Sequence, residues 1–164
     1  MGFKFRLVED IEGELILYNS TNDENFDYNN VDFDKSNEIG IHCGSFETAR
    51  SKGYRHINRL FVSGLRVCEM NDVGSTFGSM QVINGLYNSG IISIKERSDM
   101  IKEFRKEMVF STEEKQRCFS RIIRNCLIQK GYNSVHYING VENKGDNNYI
   151  IFDNAVVKFY EQIK

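Results

Sequence analysis

The stretch from Gly131 to Lys164, GYNSVHYINGVENKGDNNYIIFDNAVVKFYEQIK, constrains the fold more than any other part of the chain. Gly131 stops a helix. Ser134 to Ile138 is rich in β-branched and aromatic residues and predicts a short strand. Gly140 to Asn148 is a polar loop that holds Glu142 between two glycines. Tyr149 to Phe152 predicts a second strand, closed by Asp153 and Asn154, and Val156 to Ile163 an edge strand or a docked tail. A carboxylate on a loop between strands sits where a rigid sheet aims a mobile segment.

Upstream, the period changes to that of helices. Ser111 and Glu114 have the spacing of a capping box for a helix from Thr112 to Lys130. Phe119, Ile122, Ile123, Cys126 and Leu127 make its apolar stripe. Arg117, Arg121 and Arg124 fall on another side, where solvation or pairing is expected, as between Glu113 and Arg117. Ser75 and Ser98 are expected to cap two shorter helices, the first through Met80, Ile83 and Leu86, the second through Ile101 and Phe104. Phe3 to Val8 and Glu14 to Tyr18 predict strands around an acidic turn. Glu38 to His42 predicts another strand, and Ser45 caps a helix from Phe46 to Lys52 that Gly53 ends. His56 to Cys68 reads as one long strand or two short ones. Asn19 to Lys35 is a polar loop that Phe26, Tyr28 and Phe33 pin to the body.

These elements lack the strand-helix beat of a doubly wound sheet, so the fold class is α+β, one domain over 1–164. No GxGxxG and no Walker loop is present, which removes the usual dinucleotide and P-loop sites. The balance of 21 basic and 23 acidic side chains gives no general attraction for nucleic acid. A nucleic-acid module built on Arg117, Arg121 and Arg124 has that balance against it. The spacing of Cys43, Cys68, Cys118 and Cys126 suits neither a zinc site nor a redox motif; no metal is expected, and the thiols are expected reduced and mostly buried. No apolar run suits a membrane span, and charges come too early for a signal peptide. The expected setting is a cytosol, including that of a host cell after delivery, and the expected state a monomer or weak homo-oligomer.

Four segments in order carry a family likeness: LYNST at Leu17 to Thr21, GIHCGSFETA at Gly40 to Ala49, Phe61 to Asp72 before a helix, and the stretch from Gly131. Together they resemble the small ADP-ribosyltransferase-like domains of bacterial toxins, effectors and phage polyvalent proteins. Those show a YHGT-like strand, a GxHFGT-like strand feeding a helix, a GYDGIVYxN-type strand, a glutamate loop and a closing SYIVFDPxQIK-type strand. The resemblance implies split antiparallel β-sheets that form an NAD cleft, with flanking helices. It implies NAD as substrate, cleavage of its nicotinamide-ribose bond, and transfer of ADP-ribose to a macromolecular acceptor, a protein rather than a nucleic acid.

Carried over by position, Glu142 is the transferase carboxylate. Asn19, Ser20, Thr21, His42, Gly44, Ser45 and Tyr149 bind the dinucleotide, with Arg50 a candidate for its pyrophosphate. The chain departs from the pattern at several of these. Asn19 replaces a histidine, Ser20 a glycine, Cys43 and Ser45 a phenylalanine and a threonine, and Gly140 the companion acid before Glu142. The chemistry needs an ionised carboxylate beside an oxocarbenium-like ribose. The departures leave an alternative: a catalytically degenerate member of the same fold that binds a protein or a nucleotide.

Overall fold

The computed structural model describes residues 11–70, 79–107, 111–140 and 144–163. They form an α+β fold of two sheets and four α-helices. In the first sheet, β3 (His56–Leu65) lies between β1 (Ile11–Thr21) and β7 (Val157–Ile163), antiparallel to both. In the second, the order is β2 (Ile41–Cys43), β6 (Asn147–Ile151), β5 (Ser134–Ile138) and β4 (Val67–Glu69). The expectation of purely antiparallel sheets is corrected here, because β4 runs parallel to β5.

Adjacent residues of β6 explain why the second sheet can be apolar on both sides. Side chains alternate along a strand, so Ile150 and Ile151 face opposite ways, and both are fully buried. Ile151 packs with Leu17, Leu60 and Val62 between the two sheets. Ile150 packs with Val135, Leu86, Ile123 and Leu127 under the helices. Those helices are α2 (Met80–Asn88), α3 (Ile94–Lys106) and α4 (Thr112–Gln129); the short α1 (Phe46–Ser51) follows β2 instead and meets β1.

The run from His56 to Cys68 proves to be two strands in different sheets. Gly64 adopts a positive φ of 72° at an irregularity in the β1–β3 pairing, one residue before β3 ends and the chain crosses to the second sheet. Asn133 staples the crossing: its Nδ2 donates to the Gly64 carbonyl at 2.9 Å, and its Oδ1 accepts from the Arg66 N–H at 2.7 Å. Without a glycine at the switch, a left-handed turn between two β-rich segments would be strained.

The helix starts differ from expectation in two places. The first of the two shorter helices begins after Ser79; Ser75 lies outside the described residues, as do Phe3 to Val8. The next begins after Ser93, not Ser98, which sits inside α3. Ser93 Oγ accepts the Glu96 N–H at 3.1 Å while Glu96 Oε2 accepts the Ser93 N–H at 2.6 Å, a complete capping box. Lys130 also reaches Glu96, and these contacts hold its carboxyl down at about 2. Ser93→Ala is expected to lower stability by about 1 kcal/mol, measured as a shift in the urea midpoint with unchanged slope. The Ser111–Glu114 box and the helix behind it match the expected spacing.

Candidate functional site: a cleft where the two sheets part

Besides their shared core, the two sheets are joined through the backbone at an isolated bridge. Tyr18 and Gly44 exchange two backbone hydrogen bonds, both 2.9 Å, in an isolated bridge between β1 and the end of β2. Asn19 adds a side-chain bond to the His42 carbonyl at 2.7 Å. Beyond this junction a cavity of about 890 Å3 opens, walled by the end of β1, the chain from Asp23 to Gly40, β2, and Tyr137 and Asn139 from the β5 end. That volume falls in the range of small-molecule sites.

A slot too tight to admit a water molecule adjoins it on the α1 side, lined by Tyr18 to Ser20, His42 to Gly44, Thr48 and Asn148. The slot depends on close packing at Gly44. A Cβ there would lie 2.0 Å from Asn148 Oδ1, so the Asn148 amide occupies the space a side chain would take. Asn148 is 2% exposed and its Oδ1 has no hydrogen-bond partner. Ser20 is 6% exposed, and its Oγ also has none. Two buried, unsatisfied polar atoms thus line one slot.

Asn19 is committed to the fold. Its Oδ1 accepts from the Tyr28 hydroxyl at 2.6 Å, and that oxygen accepts in turn from Asn58 Nδ2 at 3.0 Å. Burial pushes the Tyr28 phenol far up, so it remains a donor. The expectation that rings pin the 19–35 segment holds at Tyr28, which is fully buried and edge-on to Phe26 and Tyr160.

His42 faces the cavity between two partners. Its Nδ1 lies 3.4 Å from the Tyr137 hydroxyl and its Nε2 lies 3.3 Å from the Glu38 carboxylate. The imidazole holds the Glu38 carboxyl below its ordinary value. The larger wall is acidic: Asp23, Asp27, Asp32 and Glu38 against Lys35 and Lys52. Several of these carboxylates are used locally, Asp27 by Asn29 and Asn30, and Asp32 by Asp34 and Lys35.

Of the residues singled out in the sequence, Asn19, Ser20, Thr21 and His42 line the cavity, and Gly44 lines the slot. Ser45, Arg50 and Tyr149 line neither. Ser45 caps α1, Arg50 is exposed on that helix, and Tyr149 packs against His136 with ring centroids 4.9 Å apart. Glu142 lies outside the described residues. The feet of its loop are described: Asn139 N–H donates to the Asp146 carbonyl and Gly145 N–H to the Asn139 carbonyl, both at 2.9 Å. Tyr137, Asn139 and Asn148 are wall residues that no sequence motif marks, although alternation along β5 puts Tyr137 and Asn139 on one side.

The three arginines of α4 do not form a free basic face. Arg117 pairs with Glu113 at 3.3 Å, Arg121 with Glu107 at 2.5 Å, and Arg124 is buried against Asp34. Pairing holds for all three, and Arg124 differs in making its pair from a buried position.

Among the described residues, no group of three or more His, Cys, Asp or Glu side chains could hold a metal ion, and no helix is long and apolar enough to cross a membrane. No family model and no curated protein matches the sequence. One solved structure, described as the crystal structure of an anti-CRISPR protein, aligns over 93% of this chain and 97% of its own at 9% identity, with a TM-score of 0.44. A likeness that loose assigns neither fold nor function.

Proposed function

We propose that the chain is a binding module for a nucleotide of the NAD class, on an ADP-ribosyltransferase-like arrangement that has departed from the catalytic pattern. The support is the pair of orphaned polar atoms in the slot, Ser20 Oγ and Asn148 Oδ1. Leaving a buried polar group unpaired costs about 1–3 kcal/mol. A primary carboxamide offers one acceptor for the serine hydroxyl and donors for the asparagine oxygen. Nicotinamide carries such a group on a flat ring; the slot is too tight to admit it as it stands, so the ring would approach from the cavity, which Ser20 also lines and which has the volume for a nucleotide.

Three observations favour binding without turnover. Asn19, where the resemblance has a ribose-binding histidine, spends its amide on Tyr28 and His42. Gly140 supplies no second acid. Among the described residues, the cavity wall has two lysines and no arginine for a pyrophosphate.

A second reading, an active mono-ADP-ribosyltransferase, is favoured by one feature. Asn139 lines the cavity, and Glu142 follows it three positions later in the sequence. Calorimetry with NAD tests binding, and release of labelled nicotinamide separates the two readings. Ser20→Ala is expected to lower NAD affinity about tenfold, about 1.4 kcal/mol, while the apoprotein stays at least as stable as before. Affinity unchanged by Ser20→Ala would remove the slot from the account; label release abolished by Glu142→Gln would establish the transferase.

A further inference from the structure

Glu38 brings a carboxylate to the cavity from a segment that is pinned on every side. Both residues beside it are tied to α4: the Asn37 carbonyl accepts from Ser120 Oγ at 2.7 Å, and the Ile39 carbonyl from Arg124 Nη1 at 3.3 Å. Its own N–H donates to Ser36 Oγ at 3.0 Å. Ile39 is fully buried, whereas the Glu38 side chain is half-exposed and lines the cavity. Three hydrogen bonds and a buried neighbour thus fix a stretch of backbone that belongs to no helix or strand. A binding group needs such support, and a merely solvated carboxylate does not.

The other carboxylates of the wall shape their own loop. Asp23 accepts the Asn25 N–H, Asp27 the Asn29 N–H and Asp32 the Asp34 N–H. Glu38 instead reaches β2. Its Oε2 lies 3.3 Å from His42 Nε2, and the Tyr137 hydroxyl lies 3.4 Å from the other ring nitrogen. His42 first, and Lys52 more weakly, hold the Glu38 carboxyl below its ordinary value, so it is ionised at neutral pH. An ionised carboxylate has about four acceptor sites, and the imidazole meets one of its oxygens.

These properties suit a pair of hydroxyl donors. The vicinal 2′- and 3′-hydroxyls of a ribose are such a pair, and acidic side chains take ribose hydroxyls in other dinucleotide sites. A phosphate follows the sugar in a nucleotide, and Lys52 lines the same cavity within electrostatic reach of Glu38. Asn19, the nearby amide, is already spent on Tyr28 and the His42 carbonyl.

We infer that Glu38 is the sugar-binding residue of the cavity: its carboxylate, placed by His42, accepts from the vicinal hydroxyls of a ribose. The inference rests on the nucleotide reading above and adds to it the group that recognises the sugar. NAD offers the same diol on either of its two riboses, and the experiment separates them.

The full chain and its Glu38→Ala and Glu38→Gln variants are titrated calorimetrically with NAD, with NAD built on 2′-deoxyadenosine, and with NAD carrying 2′-deoxyribose on the nicotinamide side. Wild-type protein should bind one of the two analogues about tenfold more weakly than NAD, the loss of one hydrogen bond to a charged acceptor. Which analogue is weakened names the ribose. In Glu38→Ala that penalty should close to within about twofold, because NAD itself has lost the same bond. Glu38→Gln keeps a neutral acceptor and should keep a smaller penalty, about threefold, which carries the test if the alanine variant binds too weakly to titrate. A penalty as large in the variants as in wild type, or no penalty in wild type for either analogue, would overturn the inference. Wild-type protein that does not bind NAD would instead overturn the nucleotide reading, and the sugar contact with it.

Discussion

Gly40→Ala is expected to destabilise the protein by at least about 3 kcal/mol, the upper end of what overpacking usually costs. A Cβ at this position would lie 2.2 Å from the carbonyl oxygen of Ile151 and 2.7 Å from its carbon. These are backbone atoms of β6, the strand between β2 and β5, and Ile150 and Ile151 are fully buried in two separate cores. Moving the strand away would disturb both cores at once. The contrast is Gly44, where the obstructing atom is the end of the Asn148 side chain. A side chain can turn away, so Gly44→Ala should lose the slot before it loses the fold. A further contrast is Gly53, whose Cβ would meet nothing within 4 Å and whose only obstacle is a φ of 69°. Urea denaturation of the Gly40 variant with the Gly53 variant as reference decides the matter. If Gly40→Ala is no worse than Gly53→Ala, the close approach of the 40–43 segment to β6 is wrong, and the wall of the cavity with it.

Elements set by local signals were legible in the sequence, and those set by distant contacts were not. Ser111 with Glu114, the stripe behind them, and the strand from Ser134 to Ile138 depend on neighbours within a few residues, and each stands where its pattern puts it. The split of His56 to Cys68 between two sheets depends on Asn133, about seventy residues away, which no local pattern reports. Ser98 has the residue type of a cap but lies within α3, because Ser93 has Glu96 three residues on and so can satisfy two orphan N–H groups, not one. The site follows the same division. Asn19, Ser20, Thr21 and His42 could be placed on strand ends that face a cavity. That Asn148 fills the space above Gly44, and that Asp146 holds the start of α1, are contacts across a hundred residues. The same distance explains Arg124. Its spacing groups it with Arg117 and Arg121, but its partners are Asp34 and Ile39, reached only when the chain before β2 folds against α4.

Arg124→Ala should therefore behave as a core substitution, not as the loss of a surface charge. The guanidinium side chain is 3% exposed; Nη2 meets Asp34 Oδ1 at 2.6 Å, Nη1 donates to the Ile39 carbonyl at 3.3 Å, and the group lies 5.7 Å from the centre of the Phe33 ring. Burial lowers its proton affinity and Asp34 opposes that shift. Removing the arginine leaves the Ile39 carbonyl without this donor and a gap under a turn that walls the cavity, a combined loss of about 3 kcal/mol. Removing the other partner should matter far less. Asp34 is 74% exposed, so Asp34→Ala gives up a pair that water already screens on one side, yet it strands the buried cation. Two effects on Asp34→Ala oppose each other: the stranded guanidinium raises the cost, while water screening of the exposed carboxylate and the kept bond from Arg124 to the Ile39 carbonyl lower it. We expect about 1 kcal/mol there, a third of the arginine's effect. Chemical denaturation of both variants measures the ratio, and hydrogen exchange at 33–41 reports whether the segment before β2 loosens first in Arg124→Ala. Equal, small losses would mean that Arg124 reaches water, and that the wall from Phe33 to Gly40 is held by something other than α4.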